Sequence, residues 1–448
     1  DIPSAEIREV ETQITLANLV SIKYGSNFKV VQSARTKEQY VLTQCGTAAP
    51  TTAEVDAVSS LPSGYTRKSF TIPLQRAIGG GTVALGFVSE LGVEDRMLAV
   101  DEYAVAPCWQ KYLDCGGQQE SSYGGNATIL ANQLSAADGY FMNCNWDGSC
   151  DNVKSQNNGI YFSPTFEPGN LHHAEYVKYL AVFFNKEQEA NAVFEQKMAG
   201  YRSYPAMSPQ PKVAWIGFTP ISSWNTEPKF TLSMSLYKQQ YVRDVGAANV
   251  DLAALQAALP QLQAESDNAG GYNYHLKLSD IGNVTHAYDS TLASASAVFF
   301  EALSDVGVVI DEYYAPDPSS YDIDTFYAAY GLTSGSSNTF IREHKVLRID
   351  GTMSEQLNLD WYESRIANPA WALEGLKRAI TGDSALARKY FRNIAVGEVP
   401  EVLTKDSCTK ELPVCNSGSV YPVAIPMPRE APLAEDETNK APKRHALA

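Results

Sequence analysis

No stretch of about 18 consecutive apolar residues occurs in the 448-residue chain, so nothing in it reads as a membrane-spanning helix. Basic clusters are equally scarce: beyond Lys440, Lys443 and Arg444 the cationic residues are scattered, and the net charge is −16. Phosphate contacts need concentrated positive charge, so the composition argues against a nucleic-acid partner and the acidity reads as surface. No G-x-S-x-G, H-E-x-x-H, Walker or Rossmann fingerprint is present, which argues against an enzyme and against a catalytic cofactor. Histidine is limited to six residues. His172 and His173 are adjacent, and neighbours on a helix project about 100° apart, so they cannot chelate one metal as an i, i+4 pair does. One of the two reaching a bound metal stays open. The chain starts at Asp1 with neither Met nor a charged-then-apolar leader, as a mature or trimmed product does.

Seven cysteines come next. Cys108 and Cys115, Cys144 and Cys150, and Cys408 and Cys415 are separated by five or six residues rich in Gly, Asp, Asn or Pro, spacings that could close small disulfide loops. Three such pairs favour an oxidising compartment. Metal binding is the rival reading, weakened because no C-x-x-C occurs and no His lies close to a pair. Cys45 is left over where an apolar strand ends in YVLTQCG, and reads as a buried unpaired thiol. The sequons Asn126-Ala-Thr128 and Asn283-Val-Thr285 fit a secreted, glycosylated eukaryotic protein. With 44% hydrophobic and 19% charged residues the chain is globular, and its length leaves room for two lobes. Tyr outnumbers Phe by 25 to 16, so many aromatics carry a polar tip, useful where a large, partly polar ligand meets water but also common in secreted proteins.

One segment organises the rest. From Asn170 to Tyr201 apolar residues recur every three or four positions, Pro168 and Gly169 stop the chain before it, and no breaker follows until Gly200. That pattern predicts a helix of about 30 residues, a rod of roughly 45 Å, suited to bridging two lobes or to a long core helix. Before it, two β-rich runs flank the polar turn Ala34 to Glu38 as a hairpin, and Thr51 to Gly64 reads as a loop. SFTIPLQRAIGGGTVALGFVSELGVEDRMLAVDEY reads as a βαβ unit with Gly79, Gly80 and Gly81 at its turn; a phosphate-binding loop is a weak alternative there. Tyr103, Trp109 and Tyr112 fall on a loop beyond a parallel strand, the usual place for an α/β ligand, and Trp146 on a corresponding loop. Beyond the rod, Lys212 to Phe218 is a strand followed by a loop with Trp224, Asp251 to Glu265 an amphipathic helix, and VGVVIDE a buried strand. Each Trp is either a packing anchor or a ligand platform. From Pro422 onward Pro and charge dominate, as in a linker.

The run FEPGNLHHAEYVKYLAVFFNKEQEANAVFEQ resembles the inter-lobe helix of the class III substrate-binding proteins, a family that captures cobalamin, haem and iron-siderophores for import. Glu167, Leu171, Ala174, Glu175, Lys178, Phe183, Phe184, Asn185, Lys186, Glu187, Glu189 and Ala190 match its pattern, with His172 or His173 where Arg is usual and Tyr176 where Trp is. Gly92, Asp95, Arg96 and Val100 match a second segment, and Trp361, Tyr362, Glu363, Pro369, Leu373 and Leu376 a closing signature, so the likeness spans Asn27 to Ala395.

The resemblance implies an α/β protein of two lobes, each with a central mostly parallel sheet flanked by helices, joined by one long inter-lobe helix. The expected divisions are residues 1–168, 169–202, 203–400 and a disulfide-containing tail, 401–448. A ligand cleft beside the glycine turn, with the loop aromatics, makes Gly80, Tyr103, Trp109, Trp146, Glu167, Trp224, Trp361 and Tyr362 the expected ligand-binding residues; Trp361 sealing the second lobe is the alternative. The sequons and disulfide loops are similar to those of the algal cobalamin acquisition proteins, which implies an extracellular or cell-surface monomer that holds a corrinoid for a membrane transporter or receptor. A siderophore or haem is the alternative ligand, with cobalt or iron then within reach of His172 or His173. The third reading is a surface interaction protein without a small ligand, and a membrane anchor beyond this sequence stays open.

Overall fold

The computed structural model describes residues 10–120, 126–143, 155–223, 225–267, 270–283 and 288–415; Trp146, Trp224, Cys144 and Cys150 lie outside them. Strands β1 (Val20–Tyr24), β2 (Phe28–Ser33), β3 (Glu38–Gln44) and β4 (Thr66–Ile72) form one sheet in that order. The hairpin turn between β2 and β3 makes them antiparallel. Between β3 and β4 the pairing is parallel, because a helix, Thr52–Val58, carries the chain back. That stretch is not the expected loop. Thr51 and Glu54 form a capping box, each side chain bonding the other's backbone N–H, which starts the helix.

A second sheet, wholly parallel, contains β5 (Ala77–Gly80), β6 (Met97–Val100), β7 (Gln118–Gln119), β8 (Gly139–Met142) and β9 (Gly159–Tyr161) in the order β7-β6-β5-β8-β9. The helix Thr82–Leu91 makes the first βαβ crossover. Both sheets pack on one core, where Phe183 meets Phe70 and Phe141 edge to face at 5.9 and 5.5 Å.

The second lobe carries β10 (Lys212–Thr219), β11 (Lys229–Ser235), β12 (Ala248–Asn249), β13 (Gln263–Ser266), β14 (Gly271–Lys277), β15 (Val308–Asp311), β16 (Val346–Arg348), β17 (Thr352–Ser354), β18 (Arg392–Asn393) and β19 (Glu401–Leu403). Eight form one sheet, β13-β14-β11-β10-β15-β16-β18 with β12 beside β10; β17 and β19 pair separately. Its centre is parallel, β10 with β12 and β15, and β15 with β16. Along β10, Ala214, Ile216 and Phe218 enter one core while Val213 and Trp215 enter another, the alternation of a sheet covered on both faces. The amphipathic run from Asp251 is helical only over Leu252–Ala258; Pro260 cannot continue it, and Gln263–Ser266 becomes a strand.

The bridge is not a single rod. Helices Asn170–Ala174 and Tyr176–Ala181 run on from each other, the chain turns over 182–186, and Glu187–Gly200 comes back alongside. The two ends of the expected strut touch: Asn170 Nδ2 donates to the Tyr201 hydroxyl at 3.1 Å. Asn185 makes the turn with a left-handed backbone, φ 55°, a region Asn enters more readily than other side chains. Its amide donates to Gln44 Oε1 at 2.9 Å and accepts from Lys29 Nζ at 2.8 Å, while Lys29 also donates to the Val182 carbonyl and pairs with Glu187. Helical periodicity runs through this turn unchanged, so only those distant partners reveal it.

Three stretches link the lobes. The chain leaves Tyr201 for β10. Glu363 to Ala367 then crosses back, so that Trp361 lies in the second lobe's core and Ile366 and Ala367 in the first. Finally the segment after β19 lies along the helix Pro107–Asp114 of the first lobe, with Gln110 Nε2 donating to the Leu403 carbonyl at 2.8 Å and Lys405 pairing with Asp114 at 2.8 Å. Disulfides secure it, Cys108 to Cys408 and Cys115 to Cys415, with Cα separations of 4.8 and 5.0 Å.

These bridges replace the expected Cys108–Cys115 and Cys408–Cys415 loops. A spacing of seven positions along a helix sets the first two cysteines about 10 Å apart, beyond disulfide reach, yet leaves both on one face. Cys45 is exposed rather than buried, because it lies one residue past β3, where the chain turns outward. No helix among the described residues is long and apolar enough to cross a membrane.

Non-reducing peptide mapping is expected to recover the 108–408 and 115–415 links. Replacing one pair by serine is expected to cost about 3 kcal/mol, since the surviving bridge leaves a ring of only about 15 residues to close; losing both should cost roughly 8 kcal/mol or more, because the last bridge closes a ring spanning the two lobes, read by chemical denaturation.

Candidate functional site

In the first lobe the chain winds from β5 through β6 to β7, then returns to the opposite side of β5 for β8 and β9. Strand order therefore reverses between β5 and β8, and a crevice opens at the carboxyl ends of such a pair. Gly80, Gly81, Thr82 and Asn143 occupy it. A side chain at Gly80 would strike the Tyr140 ring at 2.5 Å, and Gly81 has φ 104°, so glycine is needed at both. Asn143 donates its N–H to the Gly80 carbonyl at 3.1 Å and accepts from Ser163 Oγ at 3.2 Å. Beyond β6, Asp101 turns the chain, accepting the Tyr103 N–H at 2.7 Å and leaving Tyr103 half-buried.

In the second lobe, β10 and β15 end in loops bearing Ile221 and the pair Tyr313 and Tyr314, the latter 53% exposed. A buried charge network steadies that pair. Arg348 bonds Asp311, Asp350 and the Tyr313 carbonyl, Asp350 also takes Arg392 at 2.5 Å, and Asp311 accepts the Tyr313 N–H at 2.8 Å. Burial pushes the Asp350 carboxyl up, but the two guanidinium groups outweigh it and hold its pKa below the ordinary value. Tyr362, half-buried, contacts the opposite lobe through its backbone carbonyl, which accepts from Thr82 Oγ1 at 3.3 Å. Burial, then Glu312 and Tyr237 beside it, push its phenol pKa up. Glu312 itself pairs with Lys238 at 2.7 Å.

Glu363, next in sequence, is fully buried and spans the seam. Its two oxygens accept the Val105 and Ala106 N–H groups at 2.5 and 2.9 Å, the orphan donors ahead of the helix Pro107–Asp114. Burial above all, with the Asp360 and Asp101 carboxylates adding, pushes its pKa up to about 8, against the pull of those two hydrogen bonds. Asp101 is raised to about 7 by burial and by Glu120 and Glu102.

The expected ligand residues divide accordingly. Gly80 ends β5, Tyr103 lies three residues past β6, and Tyr362 reaches the glycine turn through its carbonyl on Thr82. Trp109 is not on a loop but in the helix Pro107–Asp114, which starts on a proline and turns Trp109 and Tyr112 into the core, so Trp109 is fully buried. Trp361 packs against Trp215, Tyr390 and Phe391, sealing the second lobe. Glu167 is committed to backbone, accepting the Asn18 and Leu19 N–H groups, and Glu175 likewise takes those of Thr15, Leu16 and Ala17. Neither Trp109, Trp361 nor Glu167 offers a free face to a ligand. His173 is buried and donates from Nε2 to the Glu167 carbonyl at 2.7 Å; burial and nearby Arg365 pull its pKa down to about 3, so the ring is neutral. Among the described residues no group of three or more His, Cys, Asp or Glu is placed to hold a metal ion. Tyr313, Tyr314 and Asn143 were not singled out from sequence; the signal available was the doubled Tyr directly after a buried apolar strand.

No family model and no curated protein matches the sequence. Solved structures do. A possible iron-binding periplasmic solute-binding protein from Staphylococcus epidermidis shares 10% identity and a TM-score of 0.44, over 69% of this chain and 99% of that one. A periplasmic heme binding protein from Pseudomonas aeruginosa shares 14% identity and a TM-score of 0.42, over 72% and 98%. The petrobactin-binding protein YclQ from Bacillus subtilis shares 11% identity and a TM-score of 0.42, over 69% and 93%. What each of these binds is a statement about that protein.

Because the Glu363 carboxyl is raised from about 4.5 to about 8, the folded protein holds a proton that the unfolded chain gives up across that window, and stability is expected to fall as pH rises through it. Glu363→Gln should reduce this slope by about half, leaving the comparable contribution of Asp101, in urea denaturation series between about pH 5 and pH 8.5.

Proposed function

We infer that the chain is an extracellular, non-enzymatic binding protein that captures cobalamin between its lobes for cellular uptake. The observation that carries the binding reading is that parallel strands of both lobes end in loops bearing aromatic and amide groups, Tyr103 and Asn143 in the first and Tyr313 and Tyr314 in the second, with Tyr362 bonded across to Thr82. Tyrosines with an apolar ring and a polar tip suit a broad ligand of mixed polarity, held by contact area. The corrinoid rests on the sequence resemblance and on the exposed sequon residues Asn126 and Asn283, and the two lobe-spanning disulfides fit an oxidising compartment. Such a protein hands its ligand to a membrane transporter or receptor.

One observation favours a second reading, a surface interaction protein without a small ligand. Glu363 and the Thr82 to Tyr362 contact already tie the two sets of strand ends together. A ligand must then fit beside these contacts, in a site largely formed beforehand.

Titration of the purified chain with cyanocobalamin is expected to show saturable binding at micromolar concentration or below, and the Tyr313→Ala, Tyr314→Ala double variant to weaken it by about tenfold or more with the fold retained. Binding of haem or a ferric siderophore instead, visible as colour and iron in the isolated protein, reverses the ligand order. Silence toward all three supports the interaction protein.

A further inference from the structure

Behind the strand ends, where the start of the helical hairpin meets the second lobe, five buried polar side chains converge: Asn170, His173, Tyr237, Tyr241 and Arg365, each no more than 2% exposed. The Arg365 guanidinium lies over the rings of Trp361 and Tyr237, 4.6 and 4.7 Å from their centroids, and Tyr237 lies 5.8 Å from the His173 ring and 6.5 Å from that of Tyr241. Asn170 joins the group by donating to the Tyr237 carbonyl at 3.2 Å. Each of the five keeps one buried polar atom without a hydrogen-bond partner among the described residues: Asn170 Oδ1, His173 Nδ1, the two phenolic oxygens and Arg365 Nη1.

The charge is the telling part. Arg365 makes one long bond, from Nε to the Trp361 carbonyl at 3.4 Å, has the Tyr241 hydroxyl beside its guanidinium, and pairs with no carboxylate among the described residues. The acids around it are committed elsewhere: Glu312 to Lys238, Asp244 to Tyr201 and Ser203, Glu167 to Asn18 and Leu19. Aromatic faces attract a guanidinium but do not neutralise it, and a buried charge is stable only when paired.

We propose that Arg365 holds a small monovalent anion of halide size at this seam, gripped by Nη1 and a phenolic hydroxyl of Tyr237 or Tyr241. With all five side chains no more than 2% exposed, an organic carboxylate on a larger molecule has no opening to enter by. His173 sets the opposite wall. Its Nε2 proton is spent on the Glu167 carbonyl, so Nδ1 presents a lone pair, as does Asn170 Oδ1; both repel a bare anion and take the second phenol or a shared water. The anion therefore sits on the Arg365 side, joining residues of both lobes. This site is separate from the strand-end aromatics and does not depend on what binds there.

The test is thermal unfolding of the full chain, disulfides intact, titrated with sodium chloride against sodium gluconate at constant ionic strength. The midpoint is expected to rise saturably with chloride, and bromide to replace it. Arg365→Gln should abolish the dependence. Tyr241→Phe, which keeps the ring and loses a donor, should raise the half-saturating chloride concentration roughly tenfold, and carries the test if the arginine variant fails to fold. Crystals soaked in bromide should show an anomalous peak beside Nη1. Identical midpoints in the two salts, or bromide found only on the surface, overturns the proposal.

Discussion

The carboxyl of Glu363 on the N–H groups of Val105 and Ala106 is the contact around which the two lobes are arranged. A helix leaves its first N–H groups without partners, and here the partner arrives from the other lobe. Three residues later Ile366 is in the first lobe's core, so the cap cannot form without also threading the chain across the seam. The same helix, Pro107–Asp114, receives the C-terminal segment through both disulfides. One short helix is thus held at its start by an acid and along its face by two covalent bridges. Any opening of the lobes must strip a buried carboxyl from its donors, which makes a largely pre-formed binding site the economical arrangement.

Buried acids serve backbone elsewhere too. Glu167 and Glu175, on and beside the first helix of the hairpin, collect the N–H groups of Thr15 to Leu19 and so fasten the first strand to the middle of the chain. For Glu175, burial pushes the pKa up, yet the Ala17 N–H, Thr15, Lys178 and Leu16 together outweigh it and leave the group ionised more readily than usual. For Glu167 and Glu363 burial wins. Number of donors decides the sign: three N–H groups, a hydroxyl and an ammonium overcome desolvation, whereas two N–H groups at Glu363 do not. Arg365 is the mirror case, a cation whose protein environment supplies rings where a carboxylate is usual.

How much of this was legible beforehand depends on the range of the interaction. Periodicity located β2 and β3, the β5 to β6 crossover and the alternation of β10 because each depends on neighbours within a dozen residues or on a uniform environment. The helix at Thr52 was equally local, and its capping box was in plain view. The turn at Asn185 was not, since Phe183, Phe184 and Asn185 keep a helical pattern and the reversal is rewarded by Lys29 and Gln44, some 150 positions earlier. The strand-end site was half legible: glycines at a βα turn declare themselves, while Trp109 and Trp361, conspicuous as loop aromatics, proved to be core.

From local pattern came the α/β elements and the glycine turn at the first crossover, because amphipathic period and turn chemistry act locally; the two-lobe arrangement was implied by the resemblance of the segment from Asn170 to a known family. The tertiary structure alone decided which cysteines bond, whether the central helix is a strut or a hairpin, and which acids are ionised. Each of those turns on atoms far apart in sequence, and burial in a shared interior, absent from any linear pattern, sets their energies.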